Sequence, residues 1–169
     1  AGGRLIVGDA GTGTVNIGSG STVTADRLQL AQDEGSTGTL NLNAGGTLIV
    51  SDANGTALET GVGTATFNFA GGTLKSNGTN SLTVTSNATL ADSTTSTFDT
   101  NGQTGTFSGI LSGSGNLTKA GTGTLTLSGT NTYTGATTLS AGSLLVAGST
   151  TNSAFTVDGG TLGGTGTIG

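Results

Sequence analysis

The chain of 169 residues contains no cysteine, histidine, proline, methionine or tryptophan. The absence of cysteine excludes disulfides and thiolate metal sites. Because histidine is also absent, neither a Ser–His–Asp nor a Cys–His catalytic set can form. The absence of proline is typical of a sheet protein in which every interior strand donates its backbone N–H groups, since proline has none to donate.

Charged residues are also scarce. They make up 8% of the chain, and the formal net charge is −5. A nucleic-acid groove and an anionic membrane surface both require clustered positive charge. We therefore expect neither as a partner, because the four basic residues lie far apart in the sequence: Arg4, Arg27, Lys75 and Lys119.

Long apolar runs are missing too. No stretch reaches the roughly 18 consecutive apolar residues that a membrane-spanning helix needs. The first residues, AGGRLIVGDAG, lack the basic leader and the long apolar core of a signal peptide. We expect no direct membrane insertion of this segment, and we expect targeting elements, if any, to lie outside it.

Glycine is abundant, with 34 residues. Such a composition without periodicity would suggest disorder. Here, however, the apolar residues alternate with polar ones in short blocks, which is the period of a β-strand with one buried face. Turn-forming residues separate the blocks, and no helical pattern interrupts them. The pattern therefore predicts an all-β protein.

A repeat is visible in the first third of the chain. Its mark is an apolar–Asn–apolar triplet, with the apolar side chains expected inside and the asparagine in solvent. From Val15 to Leu40 is 25 residues, and from Leu40 to Phe67 is 27. Periods of this size indicate stacked repeats. The triplets are Val15-Asn16-Ile17, Leu40-Asn41-Leu42 and Phe67-Asn68-Phe69.

These features predict a right-handed parallel β-helix, a β-solenoid of roughly seven coils that forms one domain over residues 1–169. Residues 76–103 are less regular, but Leu82, Val84, Leu90 and Phe98 still supply inward positions. Both ends of the stretch fall inside a repeat. Since uncapped sheet edges pair with other chains, we expect the stretch to continue in a longer chain or to stack end to end.

The carboxylates are the only candidates for catalysis, because some β-helical proteins cleave sugars with paired acids. Most of them lie in glycine-rich connections, where an aspartate caps a turn through its own side chain. Calcium requires six or more oxygen ligands, and Gly8-Asp9-Ala10-Gly11 does not recur in tandem. We predict no catalytic, metal or cofactor site among Asp9, Asp26, Asp33, Glu34, Asp52, Glu59, Asp92, Asp99 and Asp158.

Two further features suggest surface binding. Tyr133 could stack on a sugar, although a ring packed at a coil corner is the favoured interpretation. Threonine pairs could order water and bind ice if one pair per coil stacked. Their irregular spacing predicts that they do not stack. The pairs are Thr12/Thr14, Thr22/Thr24, Thr37/Thr39, Thr83/Thr85, Thr124/Thr126 and Thr165/Thr167.

Residues 113–146, GSGNLTKAGTGTLTLSGTNTYTGATTLSAGSLLV, resemble the autotransporter-associated β-strand repeat, and the tail Gly159–Gly169 extends the resemblance over residues 108–169. Members of that family are surface proteins of Gram-negative bacteria. The repeat's fixed positions are occupied by Leu117, Lys119, Gly121, Gly123, Leu125, Leu127, Gly129, Asn131, Tyr133, Gly135, Thr137, Gly142 and Leu144.

The resemblance implies export and a place outside the cell or on the bacterial surface. It also implies a passenger stem without catalysis, because the chemistry of enzymatic members resides in a separate domain. We therefore predict a structural stem of an adhesin that is not an enzyme, with a host or neighbouring cell surface as partner. The alternatives are a filament or cell–cell contact protein that self-associates through its sheet edges and, further off, an ice-binding or polysaccharide-cleaving solenoid.

Overall fold

The computed structural model describes residues 3–51 and 55–169, and these residues form strands, turns and bends. Asp52, one of the carboxylates named above, lies outside the described residues. The strands are β1 (Arg4–Val7), β2 (Thr12–Ile17), β3 (Thr22–Ala25), β4 (Arg27–Leu30), β5 (Thr37–Asn43), β6 (Thr47–Val50), β7 (Leu58–Thr60), β8 (Thr64–Ala70), β9 (Thr73–Lys75), β10 (Leu82–Val84), β11 (Ala88–Leu90), β12 (Thr95–Asp99), β13 (Gly105–Phe107), β14 (Leu111–Gly113), β15 (Asn116–Ala120), β16 (Thr124–Leu127), β17 (Thr130–Asn131), β18 (Thr137–Leu139), β19 (Ser143–Val146), β20 (Ser149–Thr150), β21 (Phe155–Val157), β22 (Thr161–Gly163) and β23 (Thr167–Ile168).

The strands form four parallel sheets, and each coil of the chain contributes one strand to each of three sides. The first sheet contains β1, β4, β7, β10, β13, β16, β19 and β22 in that order. The second sheet contains β2, β5, β8, β11 and β14. The third contains β3, β6, β9, β12, β15, β18 and β21, and the fourth contains β17, β20 and β23. This confirms the predicted parallel β-solenoid. Seven steps join the eight strands of the first sheet, close to the roughly seven coils predicted. Right-handed winding stays a prediction.

The inward side chains form rows along the solenoid axis, because each strand lies in register on the strand of the coil before. The three triplets stack residue on residue, with Val15 on Leu40 and Leu40 on Phe67. Phe67 and Phe69 stack their rings, with centroids 5.4 Å apart. The inward apolar rows and the outward asparagines are as predicted from the alternation.

The coils become smaller toward the C-terminus. From Leu28 to its partner Leu58 on the next coil is 30 residues, whereas from Leu127 to its partner Val146 is 19. The strands of the second sheet shorten in parallel, from seven residues in β5 and β8 to three in β11. The insertions lie in the connections, so the sheet register is maintained while the coil length changes.

Within the described residues, no helix is long and apolar enough to cross a membrane.

Candidate functional site

The described carboxylates are distributed along the solenoid, and Asp9 and Asp33 lie on adjacent coils, where the N–H of Asp33 donates to the backbone carbonyl of Asp9 at 3.1 Å. Six lie in turns or bends, as predicted: Asp9, Asp26, Asp33, Glu34, Asp92 and Asp158. Glu59 and Asp99 instead lie in strands β7 and β12. In the part of the chain that the structure describes, no group of three or more acidic residues could hold a metal ion.

The two strand carboxylates form ion pairs with neighbouring coils. Glu59 pairs with Arg27, and Asp99 Oδ2 lies 2.8 Å from Lys75 Nζ. Asp99 Oδ1 also accepts the N–H of Asn101 at 2.8 Å, which is the predicted local cap. These acids are therefore structural, because each is neutralised by a cation on an adjacent strand.

Two of the acids in turns, Asp9 and Asp92, depart from the predicted capping mechanism. Asp9 accepts a hydrogen bond from Gln32 Nε2 at 2.6 Å, and Asp92 accepts one from Ser114 Oγ at 3.1 Å. Both donors belong to the following coil. The prediction placed these aspartates correctly in turns but was wrong about their bonds, because stacked coils bring a second turn within reach.

A shallow surface recess of about 230 Å³ lies at the step between β8 and β11. Its lining is polar and carries no carboxylate, so it does not have the two acids that a glycosidase requires. It exists because β11 pairs with β8 only at Asn68 and Phe69, leaving the start of β8 without a strand above it. The lining residues are Thr60, Gly63, Ala65, Thr85 and Asn87.

Lys119 is a buried cation in an apolar row. It stacks between Phe98 and Leu139 in the third sheet and is fully buried. Its Nζ donates to the backbone carbonyls of Ala120 and Gly121 at 2.8 Å and to that of Ala141 at 3.2 Å. Burial lowers the pKa of Lys119 to about 8, and the charge of Asp99 opposes this shift.

Tyr133 is buried at a corner of the solenoid, which confirms the packing interpretation over sugar stacking. Its hydroxyl lies 2.5 Å from Thr137 Oγ1, which lies 2.8 Å from Ser153 Oγ on the next coil. Ser153 donates in turn to the carbonyl of Gly135 at 2.7 Å. Burial raises the pKa of Tyr133, and the hydrogen bonds to Thr137 and Ser153 oppose this shift.

Asn131 replaces a missing strand contact. Between β14 and β17 no strand pairing is formed, and the buried Asn131 side chain lies at this gap. Its Oδ1 accepts the N–H of Leu111 at 2.9 Å, and its Nδ2 donates to the carbonyl of Gly129 at 3.0 Å. A Cβ on Gly129 would overlap the carbonyl oxygen of Gly109 on the coil before. The fixed Asn and Gly positions of this segment are thus explained by close stacking of corners.

The second sheet presents a regular polar face on its first three strands. We define the threonine–asparagine face as three rows that stack in register. They are Thr12–Thr37–Thr64, Thr14–Thr39–Thr66 and Asn16–Asn41–Asn68. The asparagines form a ladder, in which Asn41 Nδ2 donates to Asn16 at 2.6 Å and Asn68 Nδ2 donates to Asn41 at 2.7 Å.

The prediction that threonine pairs do not stack is wrong for this face. The pairs Thr12/Thr14 and Thr37/Thr39 lie one on the other, and Thr64/Thr66 lies on Thr37/Thr39. The spacing differs between coils, but the turns absorb the difference. Elsewhere the prediction is right, since Thr24 stacks on Ile49 and Thr124 on Ser143.

Two structural groups were missed from the sequence. The sequence identifies Lys119 only as a fixed position of the repeat. Because Lys119 is two residues after the inward Leu117 on the same strand, its side chain also points inward, and this alternation could have predicted its burial. The Tyr133–Thr137–Ser153 chain had no such local signal, because Ser153 reaches the corner from the next coil.

Comparison with known proteins gives one match. The family described as passenger-associated-transport-repeat matches residues 117–146, which lie inside the predicted segment 108–169. Neither the curated proteins nor the solved structures yielded a match to the chain. The matched residues run from β15 to β19 and include Lys119, Asn131 and Tyr133, each of which holds neighbouring coils together. Passengers of this family are extracellular or exposed at the cell surface. The parallel solenoid therefore contains, at residues 117–146, a repeat of the type found in autotransporter passengers.

Proposed function

We propose that this chain is a structural stem of an extracellular autotransporter-type adhesin and that it holds more distal regions away from the bacterial surface. The observation that carries the proposal is the unbroken first sheet, in which every strand from β1 to β22 pairs with the next coil. Seven steps of about 4.8 Å give a rod segment of about 34 Å.

The interior supports this mechanical role. The core is one continuous cluster of buried residues from Val7 to Leu144, and its rows run along the axis of the rod. Bending the rod would separate stacked side chains and break parallel backbone pairs, and both changes cost free energy. Lys119 and the Tyr133–Thr137–Ser153 chain add polar links between coils.

The test is a pair of deletions in the intact surface protein that carries this chain. Deleting residues 105–143 removes two complete coils, because Gly105, Leu125 and Leu144 occupy the same position on successive strands. Thr104 then joins Leu144 in register. The control is the shorter deletion of residues 105–133, which joins Thr104 to Thr134 out of register and disrupts the stacking.

A stem tolerates the first deletion and not the second. We expect cells with the in-register deletion to keep the surface label of an antibody and to keep their adhesion. Cells with the out-of-register deletion should lose both. Loss of adhesion with normal display after the in-register deletion would assign a binding site to the removed coils and refute the stem. Unchanged adhesion after removal of the entire gene would refute the adhesin.

A further inference from the structure

The threonine–asparagine face has an order that a stem does not require. Its nine side chains repeat in two directions, at about 4.8 Å between strands and about 6.6 Å between outward residues of one strand. The centre of the face, Thr39, is partly exposed, and Thr12, Thr14 and Asn16 are exposed at its edge. The inward residues between the threonine rows are the small residues Gly13, Gly38 and Ala65.

The chemistry of the face is uniform. Six threonines each present a hydroxyl and a methyl group, and three asparagines are fixed by their ladder. No charged side chain is among the nine. The asparagine ladder holds its amides in a fixed orientation, so little conformational entropy is lost when a rigid partner contacts them. We propose that this face binds the surface of an ice crystal.

Charge and area argue for ice over other partners. A charged polymer would meet no counter-charge on the face. Sugar-binding sites commonly offer an exposed aromatic ring, whereas Tyr133, Phe67 and Phe69 are buried. Three strands and three rows cover about 290 Å², well below the about 800 Å² per partner of a stable protein interface. An ice surface is uncharged, rigid and periodic in two directions, and it matches these properties.

The third sheet gives an internal comparison. It also carries a column of outward threonines, one on every strand from Thr22 to Thr156. The neighbouring outward column there contains Ile49, Lys75 and Asp99, so the second direction of the lattice is missing and charge is present. We therefore assign ice binding to the second sheet alone.

The test measures the gap between melting and freezing of a single ice crystal in a solution of the purified chain. Thr39→Tyr places a ring at the centre of the face and should abolish the gap. Thr118→Tyr makes the same change on the third sheet, at an equally half-buried threonine, and should preserve it. Circular dichroism and thermal melting check that both variants fold. Thr14→Lys, at the exposed edge of the face, replaces Thr39→Tyr if that variant does not fold, and it should also lose the gap.

Each remaining outcome overturns the proposal. Serum albumin at the same mass concentration is the control. If the native chain gives no larger gap between melting and freezing than albumin does, it has no ice-binding face. Equal loss in Thr39→Tyr and Thr118→Tyr would assign the effect to something other than this face. Two results without a gap would assign another occupant to the face. If sedimentation shows a dimer that Thr39→Tyr dissociates, the occupant is a second copy of the chain. If insoluble cellulose retains the native chain but not Thr39→Tyr, the occupant is a polysaccharide.

Discussion

Replacing the buried Lys119 with methionine tests two opposing contributions to stability. Burial of the ammonium destabilises the folded state, and its hydrogen bonds to backbone carbonyls stabilise it. Methionine keeps the length and the packing but removes the charge and three hydrogen bonds, to Ala120, Gly121 and Ala141. Each carbonyl that loses its hydrogen bond to the ammonium destabilises the folded state by about 1–3 kcal/mol. Removing the desolvated charge returns about 2 kcal/mol after allowance for solvent screening, because Ala120, Gly121 and Ala141 around the ammonium are only partly buried. We expect Lys119→Met to lower the free energy of unfolding by at least about 1 kcal/mol at neutral pH, because three carbonyls at about 1 kcal/mol or more each outweigh the about 2 kcal/mol that removal of the charge returns.

The dependence on pH gives the sharper result. The pKa of Lys119 is lowered from 10.5 to about 8 by burial. Between these values the unfolded chain holds a proton that the folded chain has lost, so the stability of the native protein rises with pH in this window. A shift of this size corresponds to about 3 kcal/mol at about 1.4 kcal/mol per pKa unit. With allowance for solvent screening, the rise should be about 2 kcal/mol relative to Lys119→Met, which has no such group. Below pH 8 and above 10.5 the difference should be constant.

The assay is urea unfolding followed by circular dichroism, repeated from about pH 7 to about pH 11. Ionisation of Tyr133 at alkaline pH affects both proteins and cancels in the difference. Lys119→Arg is the control, because a guanidinium keeps its proton over this range and should remove the rise. A difference between native protein and Lys119→Met that stays flat as the pH rises would show that folding leaves the pKa of Lys119 unchanged, and one that shrinks would show that the fold favours the ammonium. Either result would refute the reasoning.

Three further changes probe the core and the corners, each measured by urea unfolding. Phe69→Ala should lower the free energy of unfolding by about 3–5 kcal/mol, because the ring is fully buried. The control Val62→Ala, at an exposed position, should change it by less than about 0.5 kcal/mol. Comparable effects of the two changes would contradict the assigned core. Gly123→Ala should cost about 1–3 kcal/mol or more, because its Cβ would overlap the carbonyl of Gln103, and a neutral result would mean that the corners are loosely stacked. Tyr133→Phe should cost about 1–2 kcal/mol through the lost bond to Thr137, and unchanged stability would assign no energetic role to the hydroxyl chain.

The sequence alone was sufficient for the architecture. Alternation in Leu40-Asn41-Leu42 and its counterparts identifies strands and their inward faces, because side-chain direction in a strand depends only on local parity. The recurrence of the triplets then requires stacked coils, since no single coil can bury its own apolar face. The same local reasoning identified the corner role of Tyr133. The resemblance to a known repeat placed that repeat in residues 108–169, and the family model matches residues 117–146 within them.

The tertiary structure decided what depends on register and on corners. Whether Thr39 lies on Thr14 is fixed by how the turns absorb spacings of different length, and spacing along the chain does not give this. The environment of Lys119 is likewise made by carbonyls from two coils, and that of Tyr133 by Ser153 from the next coil. Parity along a strand is local and can be read from one chain segment, whereas contacts between coils depend on the path of every connection between them.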